Sequence, residues 1–158
     1  MQNGVATQIR NTALGYLARR EYSLMELRNK LLAKKNWPME QINLVLEQLT
    51  EDNLLSDRRY AEMYIRSRSS KGFGPDRIAL ELQQKGINSG LVQEILEQSE
   101  VDWLQVIRAV WQKKFRLKSE TAGQLSYQDR AKQSQFLRYR GFDQEQIVSL
   151  FDRETVDM

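Results

Sequence analysis

The chain has 158 residues, 41% hydrophobic and 28% charged, and its 24 basic and 21 acidic residues leave a net charge of +3. It contains neither Cys nor His, which excludes disulfides, thiolate catalysis and cysteine zinc sites and removes the commonest general base. No run approaches the ~18 apolar residues of a membrane span, and the N-terminus lacks the apolar h-region of a secretory signal. A cytoplasmic protein with no membrane partner is therefore expected.

Apolar residues recur at three and four, so the chain reads as all helix. A first helix is expected over residues 6–21, with Ile9, Ala13, Leu14 and Leu17 as its buried stripe. Ser23-Leu24-Met25-Glu26 is a capping box that opens a second helix carrying Leu24, Leu27, Leu31 and Leu32. Lys34, Lys35 and Trp37-Pro38 end it. A third helix is expected over 39–49, with Ile42, Val45, Leu46 and Leu49 inward. Glu51-Asp52-Asn53 is a polar turn, and Ser56-Asp57 caps a fourth helix through Tyr60, Ala61, Tyr64 and Ile65.

That helix runs into a basic corner, where Arg66, Arg68 and Lys71 precede Gly72-Phe73-Gly74-Pro75. Glycine gives backbone freedom there, and proline suits a first helical turn. The fifth helix, over 76–85, stops at Gly86, with Ile87 folding back on its last turn. The sixth is expected over 90–98, and Asp102 opens a seventh with Trp103, Val106, Ile107, Val110 and Trp111. Residues 117–125 read as a loop. An eighth helix over 126–140 ends at Gly141, and a ninth begins at Asp143 with Ile147, Leu150 and Phe151 inward. The last few residues are expected to fray.

Nine helices suggest three threes. Leu82, Gly86, Ile87, Val92, Ile95 and Leu96 match Leu137, Gly141, Phe142, Ile147, Leu150 and Phe151 at a constant offset of 55. Ile78, Leu82, Val92, Ile95 and Leu96 match Leu27, Leu31, Ile42, Val45 and Leu46 at offsets of 51 and then 50. The unit is a three-helix repeat of about fifty residues, placed at residues 1–53, 54–100 and 101–158. The pattern departs at Gln133, where the second repeat has Ile78, and at Asn36-Trp37, where a counterpart of Gly86-Ile87 would fall. The expected fold is all-α, three tandem three-helix repeats forming an elongated, curved molecule. Cations concentrate on the first two helices of each repeat and acids on the third, which would give one basic and one acidic side if the repeats stack in register.

Tyr22-Ser23…Glu26-Leu27…Lys30-Leu31, then Leu54-Leu55-Ser56-Asp57…Arg59-Tyr60-Ala61, form part of a longer pattern. Arg66-Ser67-Arg68…Lys71-Gly72-Phe73-Gly74-Pro75…Arg77-Ile78…Glu81-Leu82…Lys85-Gly86-Ile87 and Phe136-Leu137…Arg140-Gly141-Phe142 complete it. Together these residues resemble the RecX family of bacterial recombinase regulators, from about residue 6 to 151. The resemblance implies three tandem three-helix repeats and binding in the groove of the RecA nucleoprotein filament. It also implies limited filament growth, damped strand exchange, ATP hydrolysis and coprotease activity in the SOS response, and weak binding to single- or double-stranded DNA.

The candidate partner-binding residues are Arg66, Arg68, Lys71, Phe73, Arg77, Tyr64, Arg28, Lys34, Arg138 and Arg140. They engage either an acidic protein surface or phosphates; the plain alternative is a solvated charged face. Tyr16, Tyr60 and Tyr64 lie beside basic positions, where they either stack on bases or, the favoured reading, pack between helices, and Trp103 and Trp111, two turns apart, read as core. Phe73 between two glycines is either an exposed anchor or a plug between repeats. Gly72-Phe73-Gly74 is a poor dinucleotide signal, with Arg77 in place of the third glycine and no strand before it, and no phosphate-loop motif occurs. No catalytic constellation, cofactor site or metal site is expected, and a monomer is expected. The competing reading is a DNA-binding protein acting alone through helix-turn-helix-like units.

Overall fold

The computed structural model describes residues 2–115 and 126–156. The loop expected over 117–125 lies outside the described residues, as does the extreme chain end, 157–158. The described residues form nine helices: α1 (Gln2–Leu17), α2 (Leu24–Lys34), α3 (Met39–Glu51), α4 (Asp57–Ser70), α5 (Pro75–Gln84), α6 (Ser89–Gln98), α7 (Trp103–Lys114), α8 (Tyr127–Tyr139) and α9 (Gln144–Val156). Among the described residues the periodicity is thus helical.

Short local signals set most of the boundaries. Ser23 holds extended backbone (φ −73°, ψ 157°) and its Oγ accepts from the Glu26 N–H, while the Glu26 carboxylate accepts from the Ser23 N–H. Both orphan donors of the α2 terminus are thereby satisfied. Ser126 and Asp102 cap α8 and α7 in the same way with their side-chain oxygens. α4, α5 and α8 all end on one arrangement. Phe73 N–H donates to Arg68 O, Ile87 N–H to Leu82 O and Phe142 N–H to Leu137 O, each reaching five residues back. Gly72, Gly86 and Gly141 sit at the left-handed position that this stop requires. Asn53 (φ 61°) fills the same place after α3, where Leu54 N–H donates to Leu49 O.

One helix differs from expectation. α1 starts at Gln2 and ends at Leu17, four residues before the expected Glu21. Arg19 N–H turns back onto Tyr16 O at 3.0 Å, and the Arg20 guanidinium then stacks 3.7 Å from the Tyr22 ring centroid. Ser23 must be extended to cap α2, so the chain has to leave the helix before it. At the end of α2, Lys35 is extended (φ −151°) rather than left-handed, and Trp37 packs on the core beside it. The missing glycine at that point therefore marks a different exit from the helix.

By its internal packing the chain divides into two compact units, Met1–Met63 with Leu82–Ile95 and Tyr64–Glu81 with Leu96–Met158. In the first, α1, α2 and α3 close around Ile9, Ala13, Leu27, Leu31, Ile42, Val45, Leu46, Leu49 and Leu55. Each fully buried Leu, Ile or Val among them contributes about 1.5–3 kcal/mol. Polar links tighten this unit. Ser23 Oγ donates to Lys85 O at 2.9 Å, Leu24 N–H donates to Asp57 Oδ1 at 2.8 Å, and Glu26 also pairs with Lys85. Arg59 pairs with Glu21 and Arg58 with Glu94. Some of the apparent segregation of charge in the sequence is therefore consumed by internal pairs.

In the second unit, α7, α8 and α9 enclose Ile107, Trp111, Leu137, Phe142, Ile147, Leu150 and Phe151. Trp111 lies in this core and Trp103, partly buried, packs against it. Gln133, the polar residue at an expected apolar position, is buried, and its Oε1 accepts from Trp111 Nε1 at 2.7 Å. The departure from the repeat is the partner that a buried indole N–H needs.

Candidate partner-binding site

The basic corner is built around one carboxylate. Glu81 stands one turn after Arg77 on α5 and faces the end of α4. Its Oε1 accepts from the Tyr64 hydroxyl at 2.8 Å and Arg68 Nε at 2.9 Å. Its Oε2 accepts from Arg68 Nη2 at 2.9 Å and Arg77 Nε at 3.2 Å. Arg68 thus grips the carboxylate with both prongs of its fork, the geometry that suits guanidinium to carboxylate. Partial burial pushes the Glu81 carboxyl up, but the donors from Arg68, Tyr64 and Arg77 outweigh it and hold the group below its ordinary value.

Phe73 sits half-buried amid guanidiniums. Arg68 lies 3.8 Å from its ring centroid, Arg77 4.6 Å and Arg140 4.8 Å. Cation–π attraction lets three like charges converge there, and Glu81 neutralises two of them. Phe73 is thus half-buried and held by cations of its own unit. Arg140 also lies over Phe136, and its Nη1 reaches Lys71 O at 3.5 Å.

Backbone contact holds α5 against the end of α8. Gly74 N–H donates to Arg140 O at 2.8 Å and Asp76 N–H to Gly141 O at 2.9 Å. A Cβ at Gly74 would fall 2.5 Å from the Gly141 carbonyl, and one at Gly141 would collide with Arg77 Cβ. The nearby Asp76 carboxyl is raised, first by burial and then by Asp143, with Arg138 opposing.

Beyond this clamp, Lys71 lies on an open trough between the end of α4 and α7. One compartment, about 360 Å³, is lined by Ser69, Lys71, Gly72, Val106, Val110 and Lys113 among others. The adjoining one, about 240 Å³, is lined by Lys71, Val110, Lys113, Lys114, Phe136 and Arg140. Gly72 makes the approach possible, since a Cβ there would lie 2.7 Å from Val110 Cγ2. Among the described residues no carboxylate is ion-paired with Lys71, Lys113, Lys114 or Arg140.

The ten candidate residues fall into distinct settings. Tyr64, Arg68, Phe73 and Arg77 form the internal clamp. Lys71 and Arg140 border the trough. Arg66 is exposed on α4, and exposed Arg138 donates to Gln144 Oε1 at 3.3 Å. In the first unit, Arg28 Nε donates to Asn43 Oδ1 at 3.0 Å and Lys34 is exposed. Sequence reasoning overlooked Glu81 as the organiser, although its spacing of four from Arg77 was a signal. It also left out Lys113 and Lys114, which read as ordinary cations in a last helical turn.

No helix of the described residues is long and apolar enough to cross a membrane, and no group of three or more metal-ligating acids occurs among them. Three-helix modules carrying a cluster of cations on a glycine-tightened backbone define a tandem helical-repeat protein with a basic surface. Residues 10–49, 56–96 and 100–150 match the first, second and third three-helix domains of RecX. The regulatory protein RecX of Pseudomonas entomophila (strain L48) is 45% identical, covering 90% of this chain and 88% of its own. That of Pseudomonas putida (strain GB-1) is 42% identical, covering 94% and 92%. The crystal structure of RecX from Lactobacillus salivarius shares the fold, with a TM-score of 0.79 at 22% identity over 99% of both chains. The chain belongs to the RecX family, whose curated relatives are named as regulatory proteins.

Proposed function

We propose that this protein is a non-enzymatic, cytoplasmic inhibitor of the RecA recombinase. It binds the RecA–DNA filament as a monomer and limits extension, ATP hydrolysis, strand exchange and coprotease activity, with weak DNA binding of its own. The repeats are assigned to residues 1–53, 54–100 and 101–158. Family membership supports this reading, and the observation that carries it is the group of cations around Lys71 that, among the described residues, have no carboxylate ion-paired to them. Such cations keep their charge available for an acidic or phosphate-bearing surface. The clamp residues Tyr64, Arg68, Phe73 and Arg77 act by holding Lys71 and Arg140 in place. Direct contact is assigned to Arg66, Lys71 and Arg140, with Arg28, Lys34 and Arg138 as further contacts.

The deciding experiment is RecA ATP hydrolysis on single-stranded DNA, titrated with this protein at two salt concentrations. Inhibition well below one copy per recombinase fits blocked extension, and inhibition near equal stoichiometry fits coating of the groove. Tight, steeply salt-dependent binding to naked DNA with no effect on RecA would replace this reading with a DNA-binding protein acting alone.

A further inference from the structure

We propose that the trough between the end of α4 and α7 binds a nucleoside di- or triphosphate, with the base in the larger compartment and the phosphates in the smaller.

The compartments are chemically unlike. The larger has an apolar floor of Val106, Ala109 and Val110 and a polar edge of Ser69, Ser70, Asp102 and Gln105. Its volume of about 360 Å³ lies in the range of small-molecule sites, which pair apolar walls with a few placed polar groups. Asp102 Oδ1 is engaged by the Gln105 N–H. Its other oxygen is an acceptor suited to sugar hydroxyls or an exocyclic amine.

The smaller compartment gathers Lys71, Lys113, Lys114 and Arg140 around Val110 and Phe136. Four cations border a space of about 240 Å³, with no carboxylate ion-paired to them among the described residues. Two are prearranged: Arg140 by its stacking on Phe73 and Phe136, and Lys114 by its approach to the Phe136 ring, 5.4 Å from the centroid. Lys71, Val110 and Lys113 line both compartments, so the two adjoin.

Charge density selects the ligand. A terminal phosphate alone brings about −1.5 to −2 charge, and a di- or triphosphate chain concentrates more in a small volume. A nucleic-acid strand offers one charge per phosphodiester, spread along its length. Four converging cations match the compact polyanion. Binding rests on side chains and not on a glycine-rich phosphate loop, and no chemistry on the nucleotide is implied.

The test uses the full chain without recombinase. A fluorescent ADP analogue is titrated and then displaced with ADP, inorganic pyrophosphate, adenosine and an oligo(dT) strand. Saturable binding is expected, displaced by ADP and more weakly by pyrophosphate, with adenosine weakest. Lys113→Glu with Lys114→Glu should weaken it at least tenfold, and Ala109→Trp, which fills the larger compartment without touching a charge, should weaken it similarly. Thermal melts confirm that both variants fold. The proposal is overturned by absence of binding, by binding that survives both variants, or by displacement by oligo(dT) alone, which would assign the trough to a strand. Lys71 and Arg140 also belong to the proposed contact with the recombinase filament, so RecA inhibition is measured separately, and absence of nucleotide binding with inhibition intact overturns this proposal alone.

Discussion

Gly74 and Gly141 meet backbone to backbone, linked by a hydrogen bond on either side of the contact: Gly74 N–H to Arg140 O and Asp76 N–H to Gly141 O. Neither position has room for a methyl group, and Gly141 also has φ +106°. Gly141→Ala should therefore cost about 3 kcal/mol, from left-handed strain plus overpacking. Gly74→Ala, which meets only the packing problem, should cost about 1–3 kcal/mol. Urea denaturation gives both numbers. Wild-type stability in Gly141→Ala would sink the close-approach argument.

Glu81 supplies the only carboxylate that pairs with Arg68 and Arg77 among the described residues. Glu81→Gln should destabilise by about 2 kcal/mol, reduced from a fully buried pair because the groups remain partly exposed. The pH dependence has a fixed sign. The folded-state value of Glu81 lies below the unfolded one, so the unfolded chain takes up the proton first. Its contribution is complete above the ordinary value of 4.5 and disappears as pH falls through the lowered one. Asp76 runs the other way: its raised value favours the folded state at low pH, an advantage lost as pH rises through that value. Stability against pH for Glu81→Gln should thus flatten below pH 4.5 relative to wild type, and for Asp76→Asn should show a relative gain at neutral pH.

Trp111 and Gln133 form a buried donor–acceptor pair. Gln133→Ile restores the apolar residue found at the matching place in the second repeat but strands the indole N–H, at a cost of about 1–3 kcal/mol. Trp111→Phe with Gln133→Ile removes both groups, so the loss should be smaller than the two single losses combined. A double-mutant cycle with a coupling near zero would show that the pair carries no net energy.

Ser23 is fully buried and serves two elements, accepting from Glu26 N–H and donating to Lys85 O. Ser23→Ala should cost about 2 kcal/mol, the upper end for loss of a cap, because the partly buried Lys85 carbonyl also loses its donor. Ser23→Thr keeps both bonds chemically possible but adds a methyl group to a closed site. Chemical denaturation with the two variants separates lost hydrogen bonds from lost space.

The exposed and clamped cations should behave differently. Arg66→Glu with Lys71→Glu is expected to leave the melting temperature unchanged and to raise the concentration needed to inhibit RecA about tenfold. Arg68→Ala should lower stability, since it deprives Glu81 of its bidentate partner. Full inhibition by the doubly reversed protein would remove the basic corner from the contact surface.

Local chemistry in the sequence was enough to place most of the helices. Ser23, Asp102 and Ser126 announce starts, and Gly72, Gly86 and Gly141 announce stops, because each satisfies backbone groups only a few residues away. The early end of α1 was hidden, since Ala18-Arg19-Arg20-Glu21 are all good helix formers and the chain is turned by Arg20 on Tyr22 and by the demands of Ser23. The site was legible as a basic corner but not as a mechanism. Arg68 and Glu81 are thirteen residues apart, and only packing decides that they meet. Lys113 and Lys114 join Lys71 because Gly72 lets α7 come close, which no spacing in the chain reveals.

The placement of the tryptophans gives the molecule its own optical labels. Of the three in the chain, Trp37 packs on the core of the first unit, while Trp103 and buried Trp111 belong to the second. Emission after Trp37→Phe therefore reports on the second unit alone, and emission after Trp103→Phe with Trp111→Phe on the first. The order in which the two parts lose structure can be followed by intrinsic fluorescence, without attaching a dye.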